Sequence, residues 1–264
     1  MNIAIAKPSK TFVWRRVHSL MGLWLVIYLI QHLIINSQAA LWLGEDGMGF
    51  VRLVNLLESL PYLHVLEIVL IAIPLFLHGY WGIQRIFMAK NNAFKDDGSI
   101  PELPFERNRS FQWQRWTSWI LLFGIIAHVI QMRFVEMPKK VGSDFVVQIQ
   151  KDDDLDKIAK KLQVKLEERD GNVYAFASTP GKAMLLMVRE TFKSPGMAIV
   201  YSLFVLAASF HAFNGFWTSL ITWGAILSYR SQRAFLPICW IGSGLLSFLG
   251  LAAIWGSYWL SVSK

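Results

Sequence analysis

Four apolar stretches of this chain, each long enough to cross a bilayer, carry a histidine well inside: His32, His78, His128 and His211. The first of them, FVWRRVHSLMGLWLVIYLIQHLIINSQAA, runs from the basic doublet Arg15 and Arg16 to the polar dipeptide Gln31-His32 near its far end. An imidazole left without a partner in hydrocarbon is costly, so each ring has to be satisfied by another side chain or by a metal. Four such rings on four helices form a ligand set, and the fold has to bring them together.

A spanning helix takes roughly 20 apolar residues at about 1.5 Å rise each, and five segments reach that length: about 17 to 41, 62 to 88, 116 to 135, 196 to 228 and 235 to 260. With 54% hydrophobic residues and 12 tryptophans in 264, but 17% charged residues, the chain reads as an integral membrane protein with a polar insertion. The net charge of +8 does not point to nucleic acid, because much of it lies in short connections beside apolar spans and no basic stripe with interleaved aromatics stands clear of them. The surroundings are membrane lipid. The single cysteine, Cys239, excludes a disulfide framework, a thiolate cluster and a CxxCH haem attachment.

Lysine and arginine gather in alternate connections. Lys7, Lys10, Arg15 and Arg16 precede the first span; Arg85, Lys90, Lys95, Arg107, Arg109 and Arg115 follow the second; Arg230 and Arg233 follow the fourth. The connection after the first span has only Arg52 against Glu45, Asp46 and Glu58. The positive-inside rule then puts the amino terminus in the cytoplasm and the carboxyl terminus outside, in a multi-pass protein of the cell membrane.

The third connection differs in kind. DFVVQIQ alternates as a strand, DDDLDKIAKKL reads as a short amphipathic helix, VKLEERDGNVYAFAST as a hairpin around Asp170-Gly171, and PGKAMLLMVRETF as a second helix starting near Pro180. The expected organisation is all-α, with helices I to III in 1–135, a small α/β extracytoplasmic insertion in 136–195 and helices IV and V in 196–264. The insertion itself carries no recognisable site chemistry.

Depth sorts the four histidines. His32 lies about 24 Å along a helix from Arg16 and His128 about 20 Å from Arg115, so both fall in the outer half. His78 stands about 10 Å before Arg85, and His211 about 24 Å below the outer face from Pro195, so both fall in the inner half. Two bis-histidine pairs at two levels of a four-helix core suit two b-type haems, His32/His128 outside and His78/His211 inside. Gly79, Gly82, Gly124 and Gly215, near the ligands, leave room for a flat macrocycle. A four-histidine zinc site is disfavoured because the pairs differ in depth by roughly 10 Å. A proton relay stays open, as does a haem-free transporter or scaffold in which the rings bond helix to helix. His64, in LPYLHVLE, is an interfacial histidine.

At RRVHSLMG, LIQHLIIN, PLFLHGYWG, AKNNA, QRWTS, FHAFNGFWTSLITWG and SYRSQR the chain resembles the single-subunit, two-haem cytochrome b anchors of type B succinate:quinone oxidoreductases, among them some fumarate reductases. The likeness covers all five spans in order. It implies that His78 and His211 hold the haem nearer the catalytic subunits and His32 and His128 the distal one. It also implies a flavoprotein subunit that oxidises succinate, an iron-sulfur subunit docked on the cytoplasmic face, and quinone as electron acceptor. A two-haem subunit of a formate dehydrogenase or hydrogenase is the alternative, though AKNNA and FHAFNGFWTSLITWG do not suggest it. The insertion is the departure from family members of ordinary length.

On that resemblance, His18, Ser19, Gln114 and Arg115 lie where the inner haem's propionates emerge, and Arg115 suits a carboxylate best because a guanidinium binds it in bidentate fashion. Quinone reduction takes up two protons, which calls for an ionisable or hydrogen-bonding group near the outer haem. Glu67, Glu58 and Asn36 are the candidates. The chain has no glycine-rich nucleotide loop and no cysteine set for iron-sulfur clusters, so no dicarboxylate active site of its own is expected.

Overall fold

The computed structural model describes residues 9–40, 46–88, 105–151 and 155–262, with side chains to 260. The AKNNA motif, Asp152 to Asp154, Glu45 and the lysines at 7, 90 and 95 lie outside the described residues. Five helices are long and apolar enough to cross a membrane: α1 (Lys10–Ser37), α3 (Leu63–Met88), α4 (Glu106–Val135), α7 (Pro195–Thr222) and α8, apolar over Tyr229–Leu260. Among them, Phe76, Phe123, Leu203 and Ile241 are all more than half exposed, a surface that lipid accepts and water does not. The chain is an all-α membrane protein with a small α/β insertion.

Three helix ends depart from the expected bounds for the same reason. Hydropathy marks the part of a helix that lipid covers, while the hydrogen-bonded helix runs on through charged and aromatic residues. Thus α1 starts at Lys10, α4 at Glu106 and α8 at Tyr229. The helix α7 instead stops early, at Thr222. Gly224 takes φ of 79°, and the N–H groups of Gly224 and Ala225 bond the carbonyls of Ile221 and Leu220 at 3.1 and 2.9 Å, a Schellman stop that needs glycine.

The described residues form two compact units by internal contact, one made of 1–29, 64–122 and 208–244 and the other of 30–63, 123–207 and 245–264. In the first, Pro74 has no N–H to give the Leu70 carbonyl four residues back, and the preceding turn, Ile68–Ala72, widens to a π-helix. The Trp24 indole of α1 donates to that carbonyl at 2.5 Å. One lost backbone bond of α3 thereby becomes the contact that holds α1 beside it.

The second unit contains the insertion. Its sheet runs in the order β1 (Lys139–Val141), β2 (Asp144–Ile149), β4 (Asn172–Ala177), β3 (Lys165–Arg169), with every neighbouring pair antiparallel. The hairpin expected at Asp170-Gly171 is present, with Arg169 opposite Asn172 and both turn residues at positive φ. Helix α5 (Leu155–Leu162) connects β2 to β3, and α6 (Pro180–Phe192) packs on β2 and β4. The connection after α1, for which no element was named, holds a helix, α2 (Met48–Glu58), with Phe50, Val51 and Val54 buried. Its spacing of apolar residues is helical, but 11 residues are too short to register as a span.

α2 supplies the other wall of the insertion's core. Leu185 of α6, fully buried, lies against Gly47, whose φ of 97° and lack of a side chain both suit the start of α2. Asn55 of α2 accepts the Gly181 N–H at 2.8 Å, capping α6 from across the interface. Arg189, buried, donates to the carbonyls of Ala39 and Asp46, and burial pushes its pKa down. The Asp46 carboxylate pairs with Lys161, which holds it below the usual carboxylate range.

Trp24→Phe, which removes the indole N–H and leaves the Leu70 carbonyl unpaired, is expected to cost about 1–3 kcal/mol, read as a lowered unfolding midpoint in detergent. An unchanged midpoint would show that the contact contributes nothing to stability.

Candidate functional site

His18, His78 and His211 come together in the first unit. The rings of His78 and His211 have centroids 6.2 Å apart at an interplanar angle of 80°. His78 Nδ1 lies 3.1 Å from the His18 carbonyl oxygen, and a carbonyl only accepts, so Nδ1 carries the proton. His211 Nδ1 lies 3.2 Å from Thr117 Oγ1, which can give its own proton to the carbonyls of Trp113 and Gln114 at 2.9 and 3.1 Å and accept from the ring. His78 therefore keeps a bare Nε2, and His211 does so when Thr117 gives its proton to either carbonyl.

Gly22 is what lets His78 sit so close to α1, since a Cβ there would meet the ring at 2.8 Å. Beside Gly79, by contrast, a Cβ would meet nothing within 4 Å. Gln114 donates to the His211 carbonyl at 3.1 Å and accepts from Asn214 at 2.6 Å, while Asn214 also bonds Ser110, so α4 and α7 are clamped next to His211. His18 stacks on His78 with centroids 4.1 Å apart and planes at 9°. Its Nδ1 is buried with no hydrogen-bond partner among the described residues. Ser19 Oγ accepts the Trp223 indole N–H at 3.1 Å, and Arg115 bonds Gln112.

The second unit holds His32 and His128, centroids 6.0 Å apart at 82°. His128 Nδ1 lies 3.3 Å from the Tyr201 hydroxyl. Asn36 donates to the His32 carbonyl at 2.8 Å, and its amide nitrogen stands 3.5 Å from His32 Nε2, at the limit of a hydrogen bond. Glu58 is half-buried at the end of α2. In the first unit Glu67 pairs with His64 Nδ1 at 3.2 Å, at the edge of the π-helical turn of α3.

These residues fit a haem held by two imidazoles. An imidazole nitrogen binds a first-row metal at about 2 Å and lies about 1.1 Å from its own ring centre, so two rings sharing one iron stand with centroids roughly 6.2 Å apart. Both pairs meet that spacing. Nδ1 is engaged on His78, His211 and His128, and an oxygen on that atom is what orients a ring whose other nitrogen binds a metal. Among the described residues no group of three or more His, Cys, Asp or Glu side chains is arranged to hold a metal ion.

Sequence reasoning did not find Thr117 or Tyr201. Nothing in the spacing marks them, because each meets its histidine across a helix interface from a position 94 or 73 residues away.

Gly22→Val is expected to displace the His78 ring and lower the unfolding midpoint in detergent, since a Cβ there already meets the ring at 2.8 Å. An unchanged midpoint would show that the close approach of α1 is dispensable.

Over 93% of its length, the chain is similar to the succinate dehydrogenase cytochrome b558 subunit of Bacillus subtilis (strain 168), at 30% identity across 248 residues that cover 96% of that protein. No protein-family model matches the chain.

Proposed function

The chain belongs to the family of succinate dehydrogenase cytochrome b subunits, and on that premise we propose that it holds two haem b groups, one between His78 and His211 and one between His32 and His128. The observation that carries this reading is the repeated ring spacing of 6.2 and 6.0 Å, with Nδ1 engaged on three of the four rings. Bound there, haem b supplies a one-electron carrier inside the membrane span. In this reading the chain anchors a flavoprotein and an iron-sulfur subunit of succinate:quinone oxidoreductase and serves electron transfer between them and quinone.

The protein's own work is to hold and orient. The His18 carbonyl and Thr117 fix the tautomers of His78 and His211, and the Gln114–Asn214–Ser110 clamp keeps α4 and α7 in register at the ligand. The apolar faces of the spans exclude water from both pairs, which strengthens every polar interaction within. His18 is the best-supported propionate partner beside the His78/His211 pair, because its orphaned Nδ1 wants an acceptor. Ser19, Gln114 and Arg115 share that role, Arg115 by charge.

The distribution of lysine and arginine supports an amino terminus in the cytoplasm, where the catalytic subunits dock, and a carboxyl terminus outside. Quinone then meets the His32/His128 side of the protein. Glu67, backed by His64, has the chemistry to give and take a proton, and Asn36 and Glu58 offer hydrogen bonds to a quinone oxygen.

Haem content of the purified complex is expected at two per chain. His211→Ala should drop it to one and weaken retention of the catalytic subunits on the membrane. Two haems per chain in that variant would break the assignment.

A further inference from the structure

A run of hydrogen bonds leads from His128 to the root of the insertion. Tyr201 Oη lies 3.3 Å from His128 Nδ1 and donates to Gln131 Oε1 at 2.9 Å. Gln131 Nε2 donates to Glu136 Oε1 at 2.6 Å, and Thr191 Oγ1, at the other end of the insertion, lies 2.6 Å from Glu136 Oε2. The bonds shorten toward the carboxylate, as charge-assisted bonds do.

The direction of the whole run is set at its anionic end. A carboxylate only accepts, so Gln131 must turn its amide N–H to Glu136 and its carbonyl to Tyr201. The tyrosine's one proton is then spent on Gln131, and its remaining lone pairs can only accept from His128 Nδ1. His128 is left with the proton on Nδ1 and a bare Nε2. His78 and His211 reach the same tautomer against neutral acceptors, a carbonyl and a hydroxyl; His128 reaches it at the end of a chain that finishes in a negative charge.

We propose that Glu136 is a positioning residue for the haem held by His32 and His128: through Gln131 and Tyr201 it fixes the His128 tautomer and makes the ring a stronger electron donor to iron. The proposal rests on the reading of His128 as a haem ligand. Outer partners of a ligating histidine raise its basicity in this way, and a more basic ligand favours the oxidised iron. Because Thr191 also bonds the carboxylate, the fold of the insertion bears on the potential of that haem.

The test is a redox titration of both haems in the intact complex. Glu136→Gln keeps the shape and removes the charge. One midpoint should rise by about tenfold in the reduction equilibrium, ~59 mV for a one-electron couple, with the other unmoved. Glu136→Asp, which keeps a carboxylate, should restore most of the difference. Removing a nearby charge also raises a potential through space, so the decisive variant is Tyr201→Phe. In that background the relay is cut, and adding Glu136→Gln should move the midpoint no further. An unmoved midpoint in Glu136→Gln, an equal rise of both haems, or a full additional rise in the double variant would each overturn the proposal. If Tyr201→Phe fails to assemble, Gln131→Leu cuts the same relay one step away and takes its place. Failure of the underlying reading looks different: His128→Ala would keep both haems, whereas loss of one haem there with no shift in Glu136→Gln sinks the relay alone.

Discussion

Everything in this structure follows from the cost of an unsatisfied polar group in hydrocarbon. A ring with two nitrogens inside a lipid-covered helix has two obligations, and His78, His211 and His128 meet the first in the same way, by placing Nδ1 on an oxygen of a neighbouring helix or of its backbone. The second nitrogen is left for something else.

The same accounting holds the spans together. Lipid gives two apolar helices little reason to associate, so their contacts are made by the polar groups each must satisfy. Pro74 leaves the Leu70 carbonyl open and Trp24 takes it; Gln114, Asn214 and Ser110 close on one another and on the His211 carbonyl. In both cases the bond that relieves a polar group also sets the distance between helices that carry the histidines. Glycine then permits what the bonds demand, as at Gly22, where any side chain would displace His78.

The spans, and which histidine rings lie next to which, were legible in the sequence because both are written in local pattern: 20 or so apolar residues, and the position of one ring relative to a charged end. The hairpin at Asp170-Gly171 and the helix beginning at Pro180 were legible for the same reason. What stayed hidden depends on distance in space. Thr117 and Tyr201 are ordinary residues until α4 and α7 are packed. The helix α2 reads as loop until α6 gives Phe50, Val51 and Val54 something to be buried against. The ends of α1, α4 and α8 lay beyond the reach of hydropathy, which reports lipid rather than hydrogen bonds.

The insertion shows how a soluble-type core and a membrane site can share residues. Its sheet and α6 close on α2, its buried Arg189 reaches back to the carbonyls at Ala39 and Asp46, and its two ends meet where Thr191 bonds Glu136. Glu136 is thus held from the water-soluble side by the fold of the insertion and faces the membrane side through Gln131. A carboxylate at such a boundary keeps its charge more cheaply than one inside the span, while hydrogen bonds carry its influence inward. Placing the anion outside and the hydrogen-bonded chain inside gives His128 a neutral acceptor polarised by a negative charge that is not itself buried in lipid.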